Sequence, residues 1–270
     1  MDLGLNPAKD HQVNFIDFQD LQELRSEFLT ALFASTTRYV YSKAEVQKRL
    51  RELADRAEET DAHILIHQDA VKTFRTKNIK GQFSELLLFN LLQHHFKAVP
   101  LVRKMKITTN PSLERNGADA IHVSISEEKV TLFLGEAKTY TSSFKAAFKS
   151  SLTSLIDSYN NYRSELNLYF YSEFVAPEVR QIAKSFVNGD LKSAEIHLVA
   201  LISYERTKID GKASREEILQ QILEDVKKEC SKISQEDYPH FGNLPVSRIN
   251  YILLPFADLE KLVLAFQERF

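Results

Sequence analysis

Residues 118–138 read ADAIHVSISEEKVTLFLGEAK. Two β-type runs, Ala118–Ser124 and Val130–Lys138, lie close enough across the polar EEK to pair as a hairpin. Strand side chains alternate between faces. Leu132, Leu134, Glu136 and Lys138 therefore share one face, and Phe133, Gly135 and Ala137 the other. In the first run Asp119, Ile121 and Val123 share a face. If the strands pair with those faces aligned, Asp119 comes near Glu136 and Lys138. Two carboxylates on adjacent strands offer oxygen ligands to a hard cation such as Mg²⁺ or Mn²⁺. Such an ion can hold a scissile phosphate, polarise it and acidify a bound water. A lysine two residues past one ligand points at the same centre, where it can orient the water or neutralise charge developing on the phosphate.

Upstream, Gly81–Leu92 (GQFSELLLFNLL) is apolar nearly all round and reads as a buried helix. Its one acid, Glu85, needs a partner, a metal or a proton there. A place in or beside the metal's ligand set would supply one. Between Lys72 and Lys106 stand eight basic residues, Lys72, Arg75, Lys77, Lys80, Lys97, Arg103, Lys104 and Lys106, with Glu85 the single acid. A charge run alone is most often a solvated face. Beside a carboxylate site it suits an anionic ligand, so Lys80, Lys104 and Lys106 are candidate phosphate contacts. Tyr140 joins them because it has the parity of Glu136 and Lys138 if the strand continues.

The remaining pattern is mixed. Helices are expected over 18–34 and 43–59, a strand over Val99–Met105, and a long helix from Ser142 or Ser143 to about Asn160 with more helix to about Val187. Glu195–Ser203 reads as a buried strand and Ser214–Cys230 as an amphipathic helix; Val246–Leu254 is a strand and Phe256–Arg269 a closing helix. The order implies an α/β fold, a mixed sheet with helices on both faces. We expect an N-terminal helical region over 1–70 and the chemistry-bearing domain over 71–270.

Composition narrows the class. The chain has 270 residues, 43% of them hydrophobic, and a net charge of −2. Mean hydropathy is −0.29. One cysteine, Cys230, excludes an internal disulfide framework and a cysteine-rich zinc module. No secretion signal is expected in MDLGLNPAKD, and no apolar run approaches the ~20 residues of a membrane span. No glycine-rich phosphate loop is present, so no ATP hydrolysis is expected. His94-His95 are helix neighbours that do not face one another. His122 has the parity opposite to Asp119 and reads as packing. Cys230, with no histidine nearby, is no catalytic thiolate.

Glu-x-Lys alone is common on strands. The order Glu85, Asp119, Glu136-Ala137-Lys138, within 54 residues and beside the basic block, is not. It resembles the PD-(D/E)xK nuclease superfamily with its restriction-endonuclease-like fold, with Ala118 where that motif has proline. More narrowly, GQFSELLLFNLL, NGADAIHV and LFLGEAKTY resemble the HamA nuclease subunit of the Hachiman antiphage defence system. The resemblance implies metal-dependent hydrolysis of DNA phosphodiesters in the bacterial cytoplasm. It implies that Asp119 and Glu136, with the Ala137 backbone carbonyl, hold Mg²⁺. Lys138 would activate water and Glu85 support the metal. It also implies a helicase partner of the HamB kind, which fits a near-neutral chain with little DNA affinity of its own. A restriction or repair nuclease of the same fold, and an inert nuclease-like DNA- or protein-binding module, are the competing readings.

Overall fold

The computed structural model of the chain describes residues 1–19, 22–74, 79–103, 117–126, 129–141, 143–170, 180–190, 194–206 and 214–270. In chain order the elements are β1 (Gln12–Val13), β2 (Phe18–Gln19), β3 (Gln22–Glu23), α1 (Arg25–Ala34), α2 (Thr36–Val40), α3 (Lys43–Leu53), α4 (Glu59–Val71), α5 (Ile79–Phe96), β4 (Val99–Pro100), β5 (Ala120–Ile125), β6 (Val130–Tyr140), α6 (Phe144–Phe170), α7 (Arg180–Asn188), β7 (Ala194–Glu205), α8 (Arg215–Ser231), β8 (Ile249–Phe256) and α9 (Leu259–Gln267). Six strands form one sheet in the order β1-β8-β7-β6-β5-β4. The β1–β8, β8–β7 and β7–β6 pairs are parallel, and β5 and β4 continue antiparallel. This is the mixed α/β sheet that the pattern implies.

Strand parity sorts the core into two layers. Leu132 and Leu134 of β6 and Leu198, Ala200 and Ile202 of β7 meet Phe144, Phe148, Leu152 and Leu155 of α6. Phe133, Val199 and Leu201 point the other way, onto Phe83, Leu86, Leu88 and Leu92 of α5. With helices on both faces, β7 must be apolar at nearly every position, and EIHLVALIS is. The α8 residues Ile218, Ile222, Val226 and Cys230, spaced by four, pack on the α6 side, and the α8 N-terminus is closed by a Ser214/Glu217 capping box. The α9 helix packs on the α5 side through Leu259, Leu262 and Phe266.

Several boundaries differ from expectation. The segment 18–34 is helical only from Arg25; before it, Phe18–Gln19 and Gln22–Glu23 pair antiparallel. Asp17 accepts the Phe18 N–H at 2.8 Å, Leu24 N–H reaches the Asp17 carbonyl, and Glu23 pairs with Arg25 and Arg206. These local bonds compete with a helical turn and win. The charged helix from Lys43 ends at Leu53, and α4 is a separate helix. The expected strand from Val99 is described over Val99–Pro100, whereas Lys104 and Met105 lie outside the described residues. Ser142 is also outside them; Ser143 caps α6, accepting the Ala146 N–H at 3.2 Å. Residues 246–248 form a 3-10 turn before β8. The N-terminal segment is tied to the sheet: β1 runs beside β8, and Leu3 and Leu5 are in the core. Among the described residues no helix is long and apolar enough to cross a membrane.

Candidate active site

The pairing of β5 with β6 ends at Ala120↔Gly135. One residue beyond it, the backbone stops offering ladder partners and a side chain takes over. Asp119 Oδ2 accepts the Ala137 N–H at 2.9 Å. That bond places the Asp119 carboxylate beside the Glu136–Lys138 segment. Glu136 and Lys138 project together toward α6, as their parity requires. Ser158 Oγ of α6 donates to Glu136 Oε1 at 2.5 Å, and Lys138 Nζ stands 3.7 Å from Glu136 Oε2. Glu136 is 4% exposed, so a hydroxyl donor and an ammonium beside it offset the cost of burying its charge. The Lys138 side chain, 25% exposed, links this buried carboxylate to solvent.

Glu85 comes from the other side of the sheet. The α5 hydroxyl of Ser84 bonds that of Thr139, and Leu88 lies so close over Gly135 that a Cβ there would meet Leu88 Cδ2 at 2.9 Å. Thr139 and Gly135 point away from the Glu136 face, so α5 and its Glu85 occupy the opposite layer. Asp119, Glu136 and Lys138 thus meet at one end of the β5–β6 pair, whereas Glu85 comes from the helix layer on the other side of the sheet. Tyr39 Oη donates to Glu85 Oε2 at 2.9 Å. Tyr39 also lines a small cleft with Asp119, Arg103 and His122, which connects Glu85 to the end of the sheet where Asp119 lies.

Tyr140 does extend β6 on the Glu136 face and packs against the α6-side core. Lys80 is exposed in the first turn of α5. Lys104 and Lys106 lie outside the described residues. His122, 1% exposed, sits edge-on to Phe89 at 5.4 Å, and burial, with Arg103 nearby, lowers its pKa to about 3. It is a neutral packing residue. His95 pairs with Asn14 at 3.0 Å near the end of α5. Burial pushes the Cys230 thiol up to about 12, which excludes a thiolate at neutral pH.

Sequence reasoning missed Ser158, Tyr39 and the buried Glu165. The signal for two of them was on α6: Leu155, Ser158, Tyr162 and Glu165 follow helical spacing, so a hydroxyl and a carboxylate interrupt an apolar stripe.

Among the described residues no group of three or more His, Cys, Asp or Glu side chains is arranged to hold a metal. The donor set still fits Mg²⁺, which binds through one or two carboxylates and keeps several waters. Asp119 spends Oδ2 on Ala137, and Glu136 spends Oε1 on Ser158. Both groups are hard oxygen donors of the kind such an ion takes, with Lys138 Nζ 3.7 Å from Glu136 Oε2.

These features define a class: an α/β protein with an Asp…Glu-x-Lys site at the end of two central strands. A family model described as HamA matches residues 2–270. The chain belongs to the HamA family, of the Hachiman antiphage defence system. Comparison with curated proteins and with solved structures gives no match.

Proposed function

We propose that this chain is a metal-dependent nuclease that hydrolyses DNA phosphodiester bonds as the effector of a defence complex with a helicase. The observation that carries the reading is the joint placement of Asp119, Glu136 and Lys138 at one end of the β5–β6 pair. Asp119 and Glu136, with the Ala137 carbonyl, would hold Mg²⁺ or Mn²⁺. Bound there, the ion would supply Lewis acidity toward the phosphate and a more acidic water. The chain's own groups do the positioning. The Ala137 N–H holds the Asp119 carboxylate at the strand end, and the Ser158 hydroxyl fixes the Glu136 rotamer. Lys138, on its flexible stem and partly in solvent, orients the attacking water or neutralises the phosphate. The partner supplies DNA engagement, which suits a chain of net charge −2.

The test is digestion of plasmid DNA by the purified chain with its helicase partner. Cleavage is expected with Mg²⁺ and none in EDTA. A chain that stays inert with metal, partner and varied DNA ends would instead be a binding module. Ser158→Ala gives a finer check. It removes one hydroxyl donor from a buried carboxylate, a loss of about 1–3 kcal/mol. Cleavage is expected to fall roughly tenfold, by the usual conversion of about 1.4 kcal/mol per decade. Ser158→Thr, which keeps the hydroxyl, is expected to retain more than Ser158→Ala; equal rates for wild type and Ser158→Ala in a plasmid assay would remove Ser158 from the scheme.

A further inference from the structure

Two residues ahead of Asp119 the chain passes beneath a buried carboxylate that the scheme above does not use. Glu165 of α6 is 5% exposed, and its Oε2 accepts the Ala118 N–H at 3.1 Å. Gly117 has φ +99°, and a Cβ there would lie 2.5 Å from Glu165 Cδ and 2.6 Å from Oε1. The carboxylate therefore lies flat against the Gly117–Ala118 backbone, and only glycine leaves it room. An apolar side chain would fill this place without the cost of burying a charge, so the carboxylate signals a need for an acceptor at this point. The same helix carries Ser158, seven residues earlier, which is two turns and hence the same side. Ser158 holds Glu136, while Glu165 holds the turn that delivers Asp119.

We propose that Glu165 is a positioning residue: by accepting the Ala118 N–H over Gly117 it sets the Asp119 carboxylate on Ala137, so that α6 aligns both carboxylates of the site. Its meaning for catalysis rests on the nuclease reading, but the placement can be measured without cleavage. The probe is hydrogen exchange of the Ala137 N–H in the full chain, with Asp119→Ala as the reference for a released amide. Ala137 is expected to be protected in wild type and in Glu165→Gln, whose amide oxygen still accepts from Ala118. In Glu165→Leu protection is expected to fall at least tenfold, toward the Asp119→Ala level, and cleavage to fall with it. If Glu165→Leu does not fold, Glu165→Asp, shorter by one methylene, takes its place with the same expectation. Wild-type protection in the folded Leu or Asp variant overturns the proposal, as does a loss in Glu165→Gln as large as in Glu165→Leu. If the exchange pattern holds but wild type never cleaves DNA, the positioning stands and the nuclease reading falls.

Discussion

Replacing Lys138 by alanine is expected to slow DNA cleavage by at least about a hundredfold, the lower end of what a positioned proton-transfer or charge-stabilising group contributes. The fold should lose far less than the activity. The Lys138 side chain is a quarter exposed and its ion pair with the buried Glu136 spans 3.7 Å, so the pair is screened on the lysine side only. Its loss leaves a buried carboxylate with one donor fewer, a cost above the roughly 1 kcal/mol of an exposed pair. Glu136 keeps its bond from Ser158 in the variant. The prediction thus separates activity from stability: plasmid cleavage collapses while the variant, held at Glu136 by Ser158, stays folded. Glu136→Gln is expected to lose cleavage as fully, because it preserves shape and removes the anionic oxygen that a hard cation requires. Lys138→Arg is not expected to rescue, since a planar guanidinium places its charge farther out and cannot act as a compact point donor. If Lys138→Ala cuts plasmid as fast as wild type, the lysine has no part in the reaction.

What could be read from the amino acids alone divides along a physical line. Patterns internal to one strand were legible. The alternation in 130–138 places Glu136 and Lys138 on one face, and the apolar continuity of 195–203 marks a strand covered on both sides. The hairpin register was not: the alternation left it as a condition, and only the structure supplies it, with Ala120 opposite Gly135 and Asp119 on the Ala137 N–H. Patterns that depend on which layer a helix joins were not. Gly81–Leu92 reveals burial but not the side of the sheet from which Glu85 approaches. The clue was Gly135. A glycine inside a strand often marks close approach of another element, and its parity is opposite to Glu136. The helix that approaches Gly135 must then lie away from the Glu136 face, as Leu88 of α5 does. For Glu165 and Ser158 the interrupted apolar stripe of α6 signals buried polar groups but not what they hold, for a related reason. Their roles arise where a 27-residue helix crosses the sheet, and nothing near them in sequence announces the crossing. The hairpin at Phe18–Glu23 fails differently: apolar spacing favoured helix, but Asp17, Glu23 and Arg206 supply bonds, one of them 183 residues away, that spacing cannot reveal.

Gly117→Ala should destabilise the chain more than Gly242→Ala, and comparison of the two glycines shows why. Both glycines have positive φ, +99° and +55°, where an L side chain is strained. That conformational term costs about 1–2 kcal/mol wherever it occurs. At Gly242 nothing lies within 4 Å of the added carbon, so Gly242→Ala should show the conformational term alone. At Gly117 the new methyl would occupy the place of the Glu165 carboxylate. The carboxylate must then withdraw, leaving the buried Ala118 N–H without that acceptor, a further cost of about 1–3 kcal/mol. The two terms together are about 3 kcal/mol. For a chain of this size each kcal/mol moves the midpoint by about 2–4 °C, which makes the expected loss roughly 6–12 °C for Gly117→Ala and about half of that for Gly242→Ala. Because the displaced turn leads directly into Asp119, cleavage should also fall for the first variant and persist for the second. Equal melting temperatures for the two alanine variants would show that Glu165 moves aside without cost, and would remove the close packing of α6 on this turn as a source of stability.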